Sequence, residues 1–196
     1  LMKKQKDQAR ASAKFTKDEK IDWNTVTEEE SKFVGYSKYS CNSKITSYCL
    51  AKDLIYVQLD ETPFYFESGG QVADTGRIYN KAFTLKVLDT QKIEGRICHI
   101  TRLHSGEFDP EKQNVFSEIN INKRLSTMSN HTATHLLHQS LIDVLGEHVQ
   151  QAGSLVDSNK LRFDFTHNQK LTSGEINNVE LSVNAQIKNH INLDTD

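Results

Sequence analysis

Between Phe33 and about Ile121 apolar and polar residues alternate in short runs. Examples are Lys44–Leu50, Leu54–Leu59 and Phe83–Leu88. Gly35, Gly69–Gly70, Gly76, Asn80, Gly95 and Gly106 punctuate them. Many short period-two runs separated by turn residues predict a small β-barrel. After Asn122 the period lengthens. At 100° per residue Ala133, Leu136, Leu137, Leu141 and Val144 share one helical face, with His131, His135 and His138 nearly opposite. Gly146 stands where a helix would stop. Leu155–Val156 and Leu161–Phe165 read as a hairpin around Asp157–Lys160. A second helix begins near Ser173 and is expected to bury Ile176, Val179 and Val183.

Upstream, Lys6, Arg10, Lys14 and Lys17 recur at helical spacing over residues 2–20. They predict an exposed basic helix, either a solvated face or a strip that meets RNA. Residues 21–32 read as a linker or a short capped helix. The expected class is thus α+β: residues 1–32 as helix and linker, 33–121 as β-barrel, and 122–196 as an α/β unit. That last unit is expected to hold an antiparallel sheet and the His-x-x-x-His helix.

Composition narrows the function. Charged residues are 26% and hydrophobic residues 36% of 196 positions, an ordinary globular balance that excludes wholesale disorder. A net charge of −2 gives no whole-surface attraction to nucleic acid, so any RNA contact must be local. No apolar run reaches the roughly 18–20 residues of a membrane span. Cys41, Cys49 and Cys98 lack Cys-x-x-Cys spacing and read as small buried apolar residues of a reduced, cytoplasmic protein. The chain opens on Leu1 and stops at Asp196 in a polar stretch; both ends read as cuts within a longer protein, with an expression scar at the start as the alternative.

The chemistry centres on His131 and His135. Imidazoles at i and i+4 project from one helical face about a turn apart, close enough to share a metal ion. The plain alternative is a second packing face. Thr132 stands where a zinc metalloprotease carries its glutamate, which argues against that activity. Asp164 and Glu67 have no spacing that ties them to the pair, and His138 suits packing better than ligation. The turn Ser68-Gly69-Gly70-Gln71 is open to two readings, a tight turn or a cradle of backbone N–H groups for a phosphate or ribose.

Three blocks carry a resemblance: Thr62–Gly76 with Asp89–Lys92, Asn130–His138, and Leu145–Ser154 with Leu161–His167. In this order, over residues 33–170, they resemble the editing domain of the alanyl-tRNA synthetase family. The resemblance implies a β-barrel followed by a zinc-holding α/β editing domain, and hydrolysis of tRNA(Ala) mischarged with serine or glycine. A pocket shaped for alanine can reject a neighbour differing by one small group by only about 1–3 kcal/mol, so a second, hydrolytic site is needed. By motif, His131 and His135 correspond to the first two Zn2+ ligands, the other two lying in a Cys-x-x-x-His motif beyond residue 196. Thr134, Gln151 and Ser154 correspond to the reactive pocket. Gly69, Gly70 and Gln71 would sit at its mouth, near the tRNA acceptor end. Ala73 and Phe66 depart from the glycine and alanine usual there. ATP and Mg2+ would serve only an absent ligase domain. No side chain suggests itself as nucleophile, so water is the expected attacking group. A freestanding trans-editing deacylase and a catalytically silent tRNA-contacting module are the alternatives, and threonyl-tRNA synthetase shares the two-histidine helix.

Overall fold

The computed structural model describes residues 21–189, so the basic helix expected over 2–20 lies outside the described residues. The first part is all β: β1 (Asn24–Thr25), β2 (Lys32–Phe33), β3 (Ser40–Ala51), β4 (Leu54–Leu59), β5 (Glu61–Thr62), β6 (Gly76–Tyr79), β7 (Phe83–Ile93), β8 (Arg96–Gly106) and β9 (Asn114–Ile119). Neighbours run β3-β4-β8-β7-β6-β9, and β9 returns to β3, closing a six-stranded antiparallel barrel. Closure depends on the length of β3. Ser40–Lys44 pairs with β9 and Ile45–Ala51 with β4, with a register shift between Ile45 and Ser47.

The inward positions are the apolar half of the alternation. Ile45, Val57, Leu59, Phe64, Ile78, Leu85 and Val87 are buried together inside the barrel. The opposite sheet face carries a smaller cluster of Cys49, Tyr56 and Cys98, covered by Ile21 and Trp23. The stretch 21–32 is therefore not a free linker or helix. β1 pairs with β3 and β2 with β5, so this stretch packs on the barrel. All three cysteines are buried and free, as the sequence suggests.

Several polar side chains lie wholly inside, among them His99, Thr62, Thr101 and Ser117. His99 donates from Nδ1 to the Val57 carbonyl at 2.9 Å, and its Nε2 accepts from the Thr62 hydroxyl at 2.7 Å. Burial pushes the pKa down to about 4, so the ring is neutral and both of its nitrogens are bonded.

Beyond the barrel come α1 (Ile121–Leu145), β10 (Gln151–Val156), β11 (Leu161–Phe165) and α2 (Ser173–Lys188). Asn120 caps α1, and Gly146 ends it at φ 112°. Thr172 and Glu175 form a capping box at the start of α2. Leu141, Val149 and Val179 centre a second core, with Leu137, Val144, Phe163, Phe165 and Val183 against it. Ile176, expected inside, is 45% exposed, because the face of α2 that meets α1 runs through Val179, Ser182 and Val183.

The fully buried residues of α1 extend beyond the apolar stripe, of which Leu141 is a member. They are Arg124, Thr127, Thr134, Ser140 and Leu141. Arg124 explains why. It forms a buried ion pair with Asp74, and its Nη1 and Nη2 donate to the Gly35 and Pro63 carbonyls at 2.8 and 3.0 Å. Asp74 in turn accepts from the Tyr65 N–H at 2.8 Å. The first turns of α1 are thus held to the barrel by charge rather than by apolar contact.

Removing one partner of a buried pair strands the other. Arg124→Met is expected to lower unfolding free energy by about 3 kcal/mol or more. Arg124→Met with Asp74→Asn should cost less than the sum of the single changes, as read by urea denaturation. His99 gives a pH signature. Between pH 6.5 and about 4 the unfolded chain protonates this imidazole while the folded barrel keeps it neutral. Stability from this residue is therefore complete above pH 6.5 and falls with acidification, by about 3 kcal/mol in all. His99→Gln should flatten the drop in Tm between pH 7 and 4.5; an unchanged drop would show that another group carries it.

Candidate functional site

The turn Ser68–Gln71 is a two-residue hairpin. Ser68 and Gln71 exchange backbone hydrogen bonds of 3.3 and 3.0 Å, and Gly69 and Gly70 turn at φ 59° and 82°. Two successive positive φ values are those of a type I′ turn. Its flanks are stitched to neighbours. The Val156 N–H donates to the Gly70 carbonyl at 2.8 Å, Val72 N–H to the Val156 carbonyl at 3.0 Å, and Glu67 N–H to Thr90 of β7 at 3.1 Å. Gly70 lies so close to β10 that a Cβ there would stand 2.2 Å from Ser154 Oγ. A Cβ on Gly69 would meet nothing within 4 Å.

Gln151 and Ser154 are three residues apart, a spacing that would put them on opposite faces of a regular strand. A register shift between Gln151 and Gly153 reverses that. Gln151 Nε2 consequently donates to Ser154 Oγ at 3.1 Å. The pair, the glycine turn and the strand thus form one connected patch.

His131 enters from α1. Its Nδ1 hydrogen-bonds the side-chain oxygen of the buried Gln71 at 2.6 Å, which joins the helix to the turn. The His135 ring stacks on it, centroids 5.1 Å apart at 22°. Burial and the neighbouring His135 hold the His131 pKa below the ordinary imidazole value. His138 turns to Phe163, 5.0 Å between centroids, a packing role. Thr134 is buried and donates its hydroxyl proton to the Asn130 carbonyl at 2.8 Å. Its oxygen can therefore serve a ligand only as acceptor. Asn130 Nδ2 also donates to the Asp157 carbonyl at 2.7 Å, tying α1 to the hairpin turn.

Gly70, Ser154 and Gln151 therefore meet, as do Gln71, His131 and His135. Among the described residues Thr134 bonds only within its own helix. The same residues contain no group of three or more His, Cys, Asp or Glu that could hold a metal. The two imidazoles fit part of a zinc ligand set, since zinc accepts neutral imidazole nitrogen and His131 keeps one nitrogen clear of protein partners. Sequence reasoning missed Arg124, Asp74 and Asn130, which position this helix. The available signal was polar residues recurring down α1 at helical spacing, with Arg124 and Thr127 three apart and Thr134 seven further. An open groove of 640 Å³ lies elsewhere on the barrel, among Lys44, Tyr79, Lys81 and Phe116, and includes none of these site residues.

Residues 1–123 match the family model of the tRNA synthetases class II (A). Over 98% of its length the chain is 44% identical to an alanine–tRNA ligase of Fusobacterium nucleatum. It is 42% identical over 97% to that of Caldicellulosiruptor saccharolyticus, and 44% over 95% to that of Cytophaga hutchinsonii. The chain spans 23%, 23% and 21% of those proteins, under a quarter of their length.

The two glycines should separate on substitution. Gly69→Ala meets only the backbone cost of positive φ, about 1 kcal/mol. Gly70→Ala adds the collision with Ser154 and should cost clearly more, as read by chemical denaturation. Equal losses would mean that the turn does not rest on β10.

Proposed function

This chain belongs to the class II (A) family of tRNA synthetases, and on that premise we propose that it is the editing portion of an alanine–tRNA ligase. It would hydrolyse the aminoacyl ester of tRNA(Ala) mischarged with serine or glycine. The observation that carries this reading is the junction itself. The glycine turn, the Gln151–Ser154 pair and the His131–His135 pair, far apart in sequence, are drawn into one region by direct hydrogen bonds. The alanine–tRNA ligases similar to this chain over nearly its whole length support the parent activity.

The residues divide the work by their chemistry. Thr134, with its proton committed to the helix, offers an acceptor to the hydroxyl of a mischarged serine. The exposed Gln151 and the half-buried Ser154 provide polar groups where an ester and an attacking water can be oriented. Gly69, at an exposed turn, allows close approach of the tRNA acceptor end. His131 and His135 would hold Zn2+, which supplies positive charge to orient the aminoacyl group or a water. ATP and Mg2+ belong to the ligation chemistry of the rest of the parent. The tRNA contact must be local, because the chain carries a net charge of −2.

Deacylation of Ser-tRNA(Ala) by the full-length parent tests the reading. His131→Ala should slow serine release at least about tenfold. Undiminished release would remove the editing assignment and leave the region as a tRNA-contacting module.

A further inference from the structure

The side chain of Gln71 is not needed to hold its own loop. Its backbone already exchanges two hydrogen bonds with Ser68, and its neighbours Gly70 and Val72 are bonded to Val156 on β10. Yet the side chain is buried, with 6% of the residue exposed, and a buried amide costs free energy unless it is bonded. The amide oxygen spends its bond on one atom of another element, Nδ1 of His131, at 2.6 Å. A carbonyl oxygen can only accept, so the proton must sit on Nδ1. Nε2 then carries the ring's lone pair and, among the described residues, has no protein partner.

We propose that Gln71 is a positioning residue that fixes His131 as the Nδ1–H tautomer, presenting Nε2 as the free donor atom for a divalent cation of the zinc type. An imidazole without such a partner favours the other tautomer, in which Nε2 is blocked by its own proton. The oxygen of Gln71 therefore selects the form able to ligate, as carboxylates and carbonyls do for metal-binding histidines in general. The inference deepens the editing-site reading and moves Gln71 from the mouth of the site, in contact with tRNA, to a place behind the histidine. It also gives a use to the backbone hydrogen bonds on both flanks of the loop. A turn pinned on both flanks holds the amide against a ring that is only half buried.

The test is long-range 1H–15N correlation of histidine-labelled 196-residue chain at about pH 8, where imidazoles are neutral. His131 is assigned by its loss in His131→Gln. In the unsubstituted chain His131 is expected to carry its proton on Nδ1. Gln71→Glu keeps an acceptor and should preserve that form. Gln71→Met has similar bulk and no acceptor, and should lower the Nδ1–H to Nε2–H ratio about tenfold, the change one net hydrogen bond supports. A proton on Nε2 in the unsubstituted chain overturns the proposal whether or not the variants fold, and so does an unchanged tautomer in Gln71→Met. The readout needs neither tRNA nor metal. If the tautomer behaves as expected while His131→Ala leaves deacylation intact, the editing reading falls and the Gln71–His131 contact stands.

Discussion

The ion pair between Arg124 and Asp74 sets the frame on which the site is built. The barrel closes by itself, but the first half of α1 presents a polar face to it, and apolar contact cannot fix the angle of such a helix. Arg124 does so by donating to three separate barrel segments, at Gly35, Pro63 and Asp74. From Arg124 to His131 is seven helical residues, a rise of about 10 Å. From Asp74 back to Gln71 is three residues, about 10 Å in an extended chain. The two spans match, so loop and helix lie alongside each other with a rung at each end, Asp74–Arg124 and Gln71–His131. The buried pair carries the load, and the histidine contact falls into register because of it.

The barrel and the β10–β11 hairpin were legible because a period of two with turn residues is a local signal. Leu54–Leu59 and Phe83–Leu88 needed no tertiary information. β1 and β2 were not legible, since two residues carry no period and exist as strands only through their pairing with β3 and β5. In α1 the helix and the apolar part of its buried face were plain, with Leu141 buried and Leu137 and Val144 packed beside it. Hydrophobic periodicity cannot register the polar part of that face, where Arg124 bonds to the barrel and the buried Thr127 and Thr134 turn their hydroxyls back onto their own helix. Ile176 failed for the opposite reason. It has the right character, but it stands 45% exposed, outside the cluster centred on Leu141, Val149 and Val179.

For the site, sequence gave the residue types and structure gave their adjacency. His131-x-x-x-His135 is a local pattern, readable on any helix. That Gln71 touches His131, or that Gly70 rests on Ser154, joins residues 60 and 84 positions apart. Gln151 and Ser154 are subtler, because simple alternation separates them and only the irregularity in β10 puts both on one side.

His99 and His131 show how one residue type is steered to two ends by the number of nitrogens the fold occupies. In the barrel both nitrogens of His99 are bonded, burial is complete, and the ring is left with nothing to offer a ligand. On α1 one nitrogen of His131 is bonded and the ring is half open. A ring held at one atom is oriented yet still reactive at the other. The difference traces to the partner on each side. A backbone carbonyl and a threonine hydroxyl close off His99, while a single amide oxygen on a pinned turn restrains His131. A fold can build a core histidine and a candidate ligand from the same chemistry by adding or withholding one hydrogen bond.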